Sequence, residues 1–389
     1  MKVKQRPEDF QVEELADIAP AANGEYALYK LEKTGWTTLD AIQAIRRRWH
    51  LGRGQLSYGG LKDRHARTSQ YVTIFKGPPR DLEHHTVTFR YLGRVEEPYT
   101  SQHVRANRFT ITLRAVRRQD TDRVERAIAE VRDGGVPDYF DDQRFGSVGE
   151  DREFAARYMV LGDYERALKL ALSAPYLFDR GPAKKEKAIL RQAWGNWPEA
   201  KAILPRGHAR SIVDYLVSHP TDFKGAVARL RRELSSLYLS AYQSYLWNRI
   251  LARYVAHLCR PEQVIQVHTR LGELPMHRNL DGSQRDSLAK LMLPLPSARL
   301  RLDPADPRLP LIDEVLADEG FKLSEMKLKG IREPFFSKGD RPALLMPATL
   351  DFSFEDDDLH AGRSKWTLSF ELPRGSYATM IVKRIQSMG

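Results

Sequence analysis

The sequence predicts an α+β fold, with one α+β domain interrupted by an α-rich insertion. Three observations lead there: strand-like segments sit towards both ends, a helical stretch fills the middle, and no repeat or low-complexity tract breaks the pattern. At roughly 150 residues per domain, 389 residues allow two or three domains or one domain with a large insertion. With 42% hydrophobic and 29% charged residues, the composition is that of a folded chain with a sizeable core.

The elements follow in order. Thr37 and Thr38 provide a polar cap, and Leu39, Ile42, Ile45 and Trp49 recur at helical spacing, so residues 38–49 read as a helix closed by Gly52 and Gly54. Ser69 to Phe75 (SQYVTIF) is β-branched and aromatic, and in Phe109 to Val116 (FTITLRAV) the apolar positions Phe109, Ile111 and Leu113 alternate; both read as strands. Asp122 to Arg132 places Val124, Ile128 and Val131 on one helical face and ends at Gly134-Gly135-Val136-Pro137. From Asp151 to Arg260 the pattern turns helical, at Tyr164 to Leu172 and along Val227 to Cys259. In that long stretch Leu230, Leu234, Leu237, Ala241 and Tyr245 share a stripe, and Pro261 stops it. Residues 270–345 read as irregular and Pro-rich, and strand character returns at Trp366 to Glu371 (WTLSFE).

Lys plus Arg number 62 against 51 Asp plus Glu, a net charge of +11, which points first to a nucleic-acid or acidic-membrane partner. The charge is regional. Between Gln43 and Arg67, seven basic residues (Arg46, Arg47, Arg48, Arg53, Lys62, Arg64, Arg67) face one acid, Asp63, for a local charge of +6. Between Arg180 and Arg232, twelve basic residues face four acids, for +8, while Glu355 to Asp358 form an acidic run. Either basic stretch could be a solvated face, but two separated clusters suit a binding footprint better. Trp194 and Trp197, interleaved with basic residues, suit base stacking or a local core.

The single cysteine, Cys259, excludes an intramolecular disulfide and a Cys-rich zinc site. The N-terminus has no apolar signal region and no run of about 18 apolar residues occurs, so a cytoplasmic protein that does not span a membrane is expected. No GxxxxGK[ST] loop and no GxGxxG after a strand offers a nucleotide cradle, and the eleven histidines form no HExxH spacing. His84-His85 could sit in a loop or at a metal. The expectation is chemistry with oxygen nucleophiles, no metal and no cofactor.

Asp63 then stands out. In SYGGLKDRHARTSQ it is the only carboxylate of the first basic stretch, follows the Gly59-Gly60 turn and lies between Lys62 and Arg64. Neighbouring cations favour an ionised carboxylate, which can attack a sugar or base carbon covalently; a salt bridge tying down a basic loop is the structural alternative.

Residues 57–70, which contain that segment, resemble the signature of the TruD family of tRNA pseudouridine synthases. Further segments similar to the family follow in family order: KQRPEDFQVEE at 4–14, RANRF at 105–109, VPDYFDDQRFG at 136–146, LSAYQSYLWNRI at 239–250 and LPRGSYATMIVKRI at 372–385. The resemblance implies a pseudouridine-synthase-type mixed-sheet catalytic domain at 1–134 plus 347–389, interrupted by a mostly helical insertion domain at 135–346. It implies isomerisation of a uridine in tRNA, by bacterial analogy position thirteen, without metal or cofactor; for the oligomeric state, which the sequence leaves open, a monomer is the default expectation. Asp63 would be the nucleophile, and Lys4 the cation that holds it ionised. Phe10, Asn107, Phe109 and Tyr377 would line the uridine pocket, and Lys62, Arg64, Arg46 and Arg47 would bind RNA.

A flipped-out uracil needs aromatic surfaces to replace its lost stacking, and an Asn can both donate to and accept from its edge. Two departures from the family pattern stand out: Asp138 where Asn is common and Asp141 where Gly is common. Tyr377 replaces a common Phe, keeping the ring face and adding a hydroxyl. The rival functions are a non-catalytic tRNA-binding or tRNA-folding protein and an RNA hydrolase using Asp63 as general base; the lack of a paired His or a carboxylate cluster argues against the hydrolase.

Overall fold

The computed structural model describes residues 1–387 except 53, 177, 178, 332 and 333, so Arg53 of the first basic stretch lies outside the described residues. The chain divides into two compact units, Met1–Val136 with Leu345–Gly389, and Pro137–Leu344.

The first unit is built on a nine-stranded mixed sheet. Its strands are β1 (Phe10–Ala16), β2 (Tyr26–Thr34), β3 (Leu56–Tyr58), β4 (Arg67–Phe75), β5 (Leu82–His84), β6 (Val87–Val95), β7 (Val104–Arg117), β8 (Ala348–Asp356) and β9 (Arg363–Pro373). They lie in the order β8-β9-β7-β1-β4-β2-β6-β5, with β3 added on β4. Only β1 and β4 run parallel; every other pair is antiparallel. Residues from both ends of the chain are thus neighbours, since β9 pairs with β7 from Arg363 to Pro373.

Helices cover one face. α1 (Thr38–Arg48) starts where the Thr37 side chain accepts the Asp40 N–H, and it buries Ala41 and Ile45 against Ala27, Tyr29 and Leu31 of β2. α2 (Thr121–Gly134) and α3 (Ala378–Gln386) bury Val124, Ile128, Ile381 and Ile385 against Ile111, Leu113, Trp366 and Phe370. The period-2 alternation of the strands puts charges on the other face. There Lys30, Glu13, Arg108 and Glu371 form a row across β2, β1, β7 and β9, joined at 3.0, 3.3 and 2.7 Å.

In the acidic run near the C-terminus Glu355, Asp356 and Asp358 are exposed, but Asp357 is buried, and it and Asp358 are tied to an inner arginine. Arg114 donates to Asp9 at 2.9 Å, to Asp357 at 3.0 Å and to Asp358 at 2.8 Å. Asp357 also accepts the Ala115 N–H at 2.7 Å, and Ala115 itself has φ 58°. Burial would raise the Asp357 pKa, but the N–H groups of Ala115 and Leu359 and the Arg114 guanidinium outweigh it and hold the carboxyl low.

The second unit is mainly helical, and its 27-residue helix Arg232–Leu258 is the axis. The expected stripe is only partly correct: Leu237 is 45% exposed, while Tyr238, Leu239, Tyr242, Leu246, Trp247, Ile250 and Leu251 are buried. The helix is enclosed on most sides, so a single-stripe phase does not describe it. Residues 270–345 are also more regular than expected. They complete the hairpin Val264–Thr269/Gly272–His277 and contain helices Gly282–Lys290 and Leu309–Asp318, the latter with Pro310 in its first turn, where its missing N–H costs nothing.

Two sequence segments meet in this unit: the Asn248 side chain accepts the Phe140 N–H at 2.9 Å and donates to the Phe140 carbonyl at 2.8 Å. Trp197 is 2% exposed and donates to the Pro220 carbonyl, while Trp194 donates to Glu165; Trp197 is therefore a core residue and not a stacking platform. Within the second basic stretch Lys187 pairs with Asp179 and Lys201 with Asp214, while Lys184, Lys185 and Arg206 are exposed. Among the described residues no helix is long and apolar enough to cross a membrane.

Candidate active site

Asp63 lies on the loop between β3 and β4, and side chains from three directions fix that loop. Gln70 donates to the Gly60 carbonyl at 2.9 Å, and the Lys62 N–H donates to Thr38 Oγ1 at 2.9 Å. Lys33 Nζ donates to the Asp63 carbonyl at 2.8 Å. Gly59 permits the approach, because a Cβ there would stand 2.5 Å from Val104 Cγ2 and 2.9 Å from a Tyr99 ring carbon. Past Asp63 the chain dives into the core at Ala66.

The Asp63 carboxylate remains 32% exposed, and Lys4 Nζ donates to its Oδ2 at 2.9 Å. Lys4 Nζ also stands 3.9 Å from the centroid of the Phe10 ring. Lys4 has φ 55°, a left-handed conformation uncommon for a residue with a Cβ, and its flanks are tied down. Lys2 exchanges two backbone hydrogen bonds of 2.8 Å with Arg114, Arg6 pairs with Asp358, and Asp9 pairs with Arg114. The buried Arg114 cluster thereby holds the segment that presents Lys4.

A second charged set adjoins the first. Lys62 Nζ is 2.8 Å from Glu14 Oε2 and donates to Asn107 Oδ1 at 2.5 Å. The Glu14 side chain is fully buried, and its Oε1 accepts the Tyr71 N–H at 3.1 Å and the Tyr99 hydroxyl at 2.8 Å. Glu14 and Asn107 are register partners on β1 and β7, on the same sheet face as Phe10 and Phe109. Phe10 and Phe109 meet edge to face at 6.2 Å, and Phe109 stacks on Phe370 at 5.7 Å. At 3% and 8% exposure these rings belong to the core and can offer only an edge to a ligand. Half-buried Tyr377 lies at the N-cap of α3, four residues beyond Pro373, the register partner of Ala106.

The structure therefore brings Asp63, Lys4, Phe10 and Phe109 together through a chain of side-chain contacts, with the Lys62–Asn107 pair adjoining, and sequence position puts Tyr377 near the Asn107 end of the sheet. Arg64 and Arg47 line a surface groove with Trp36, Arg48 and His84, and Asp40 adds one acid. Arg46 differs from Arg47 and Arg48: it is half-buried, with Nε out of solvent. Sequence reasoning missed Glu14 and Lys33. Each lies on a strand row whose neighbours are apolar, Phe10 and Val12 before Glu14 and Tyr29 and Leu31 before Lys33, and that break in alternation was the available signal.

The departures of the fourth segment have a structural explanation in one case. Asp138 is buried and pairs with Arg341 at 2.7 Å; burial pushes its pKa up to about 7 against the pull of that guanidinium. Among the described residues no three His, Cys, Asp or Glu side chains gather as a metal site.

Comparison with known proteins finds matches along nearly the whole chain. A family model described as tRNA pseudouridine synthase D (TruD) matches residues 1–385. "Probable tRNA pseudouridine synthase D 1" of Methanococcus maripaludis is 32% identical over 394 residues, covering 99% of this chain and 99% of the relative. The tRNA pseudouridine synthase D of Aquifex aeolicus is 27% identical, covering 99% and 98%. A TruD crystal structure from Methanosarcina mazei superposes with a TM-score of 0.75 at 24% identity, over 98% of this chain and 92% of that one, and so shares the fold. With a family match across both units and a relative above 30% identity over its whole length, the chain belongs to the tRNA pseudouridine synthase D (TruD) family.

Proposed function

We propose that this protein isomerises uridine 13 of tRNA to pseudouridine, with Asp63 as nucleophile and without metal or cofactor, acting in the cytoplasm as a monomer. The observation that carries the proposal is the Asp63 carboxylate itself, fixed through its backbone, paired with Lys4 and still a third exposed. In this reading residues 1–134 and 347–389 form the catalytic domain, and residues 135–346 form an insertion domain.

The reaction balances without a redox partner. The bond from N1 of uracil to C1′ of ribose breaks, the base turns, a bond from C5 to C1′ forms, and the C5 proton is lost to solvent while N1 regains one. Asp63 attacks the sugar or the base to open this path, splitting one hard step into two. The Lys4 hydrogen bond is charge-assisted and directs the carboxylate through its Oδ2. Lys62, held by Glu14, orients the Asn107 amide, whose NH₂ is then directed at the uracil edge. Tyr377 offers the stacking face, while Phe10 and Phe109 form the floor of the pocket.

Arg47, Arg48 and Arg64 contact the RNA backbone from their groove, and phosphate contacts make binding weaken steeply with salt. The test is to incubate wild-type and Asp63→Asn protein with a tRNA carrying U13 and with a U13→C counterpart, then map pseudouridine. Pseudouridine at position 13 from wild type alone supports the proposal. No product from wild type refutes the synthase reading, product elsewhere refutes the position, product from Asp63→Asn refutes the nucleophile, and cleaved RNA favours the hydrolase.

A further inference from the structure

On β2 the face towards α1 carries Ala27, Tyr29 and Leu31, each 0% exposed, and Lys33 continues that row at 1%. Strand alternation would put an apolar side chain there. An ammonium taken out of water is costly unless its three donors are satisfied. Three carbonyls satisfy them: Trp36 at 2.7 Å, Asp63 at 2.8 Å and, more loosely, Lys62 at 3.4 Å. A Leu or Met would fill the same space without that cost, so the bonds and not the volume explain a lysine. Two of the three acceptors belong to the nucleophile and the residue before it.

The surroundings sharpen this. Burial lowers the Lys33 pKa to about 8, the Asp63 charge raises it and the Lys62 charge lowers it, so the buried ammonium and the Asp63 carboxylate sense each other. Lys4 binds the tip of Asp63 and Lys33 binds its backbone, from two segments far apart in sequence. With the backbone held, the direction of the carboxylate is set by few rotatable bonds, as a site needing sub-ångström placement requires.

We infer that Lys33 is a positioning residue for the reaction: its ammonium clamps the Lys62 and Asp63 carbonyls and so fixes the position from which the Asp63 carboxylate attacks. The inference rests on Asp63 being the nucleophile, and it adds a residue that never touches the substrate. It predicts that placement, not RNA affinity, depends on the clamp.

The test uses the full-length Lys33→Met protein, which keeps the length of the apolar stem and removes the ammonium with its donors. Measured together are the single-turnover rate of pseudouridine formation, the dissociation constant for tRNA, and hydrogen exchange across the chain. The expected result is a rate about 100-fold lower, tRNA affinity within about twofold of wild type, and exchange faster in residues 57–66 while β2 and β7 stay protected. Lys33→Gln, which keeps two donors on a shorter stem, should fall between the two. The inference is overturned if a folded Lys33→Met turns over at the wild-type rate, or if rate, affinity and sheet protection fall together. Should Lys33→Met not fold, Lys33→Gln decides by the same split, and failure of both to fold makes Lys33 a core residue and overturns the claim. If wild type forms no pseudouridine, the nucleophile reading fails separately, and hydrogen exchange still reports whether Lys33 holds the loop.

Discussion

Lys62→Met tests the charged set beside the nucleophile. The substitution keeps the stem and removes the ammonium, leaving the fully buried Glu14 carboxylate without its cation and Asn107 without its donor. Removing one partner of a buried pair costs about 3–5 kcal/mol. Lys62 is 10% exposed, and Glu14 keeps the Tyr71 N–H and the Tyr99 hydroxyl, so the lower end, about 3 kcal/mol, is expected. Glu14→Gln in the Lys62→Met background should recover part of the loss, because a neutral amide no longer needs the cation, with a coupling of about 1–3 kcal/mol. Native-state hydrogen exchange of β1 and β7 amides reads these values for the first unit alone, which matters in a chain of two units. A Lys62→Met cost below about 0.5 kcal/mol, or additive costs in the double variant, would refute the reasoning.

Three further outcomes follow from the geometry. Lys4→Met removes a charge-assisted hydrogen bond worth about 1.5–3 kcal/mol, so single-turnover rates should fall about 10–100-fold with tRNA affinity preserved; a fall in affinity alone would contradict the role given to Lys4. Asp357 and Asp358 are held below the usual carboxylate range, so their contribution to stability is present above that range and is lost as pH falls below it towards their lowered folded values. Thermal unfolding below pH about 4 should therefore be less steeply pH-dependent in Asp357→Asn/Asp358→Asn than in wild type, and an unchanged slope would count against the Arg114 cluster. Gly59→Ala introduces a Cβ that overlaps Val104 and Tyr99 and should cost about 1–3 kcal/mol in urea unfolding; a neutral effect would mean that the loop shifts freely.

What could be read from the sequence depended on whether a residue's partners were near it in the chain. α1 was legible because Thr37, Ile42 and Ile45 are local signals, and β7 because it alternates. The phase of Arg232–Leu258 was not, since a helix enclosed on most sides has no single stripe. Prolines misled in 270–345, where Pro310 opens a helix and Pro275 sits in a hairpin. Asp63 stood out through its isolation among cations. Glu14 and Lys33 did not, because a charged residue in a strand suggests a solvent-facing position, and their partners lie 57 residues away at Tyr71 and 30 away at Asp63. The Arg114 cluster was hidden for the same reason, with Asp357 separated from it by 243 residues.

The central claim is that the Asp63 carboxylate breaks and reforms the glycosidic bond. Forming the bond from C5 to C1′ expels the C5 hydrogen, so tritium release from tRNA labelled at uridine C5 measures it directly. Wild type should release the label from one uridine per tRNA and Asp63→Asn, with intact fold and RNA binding, should release none above the no-enzyme control. Release by Asp63→Asn at a rate near that of wild type would contradict the account.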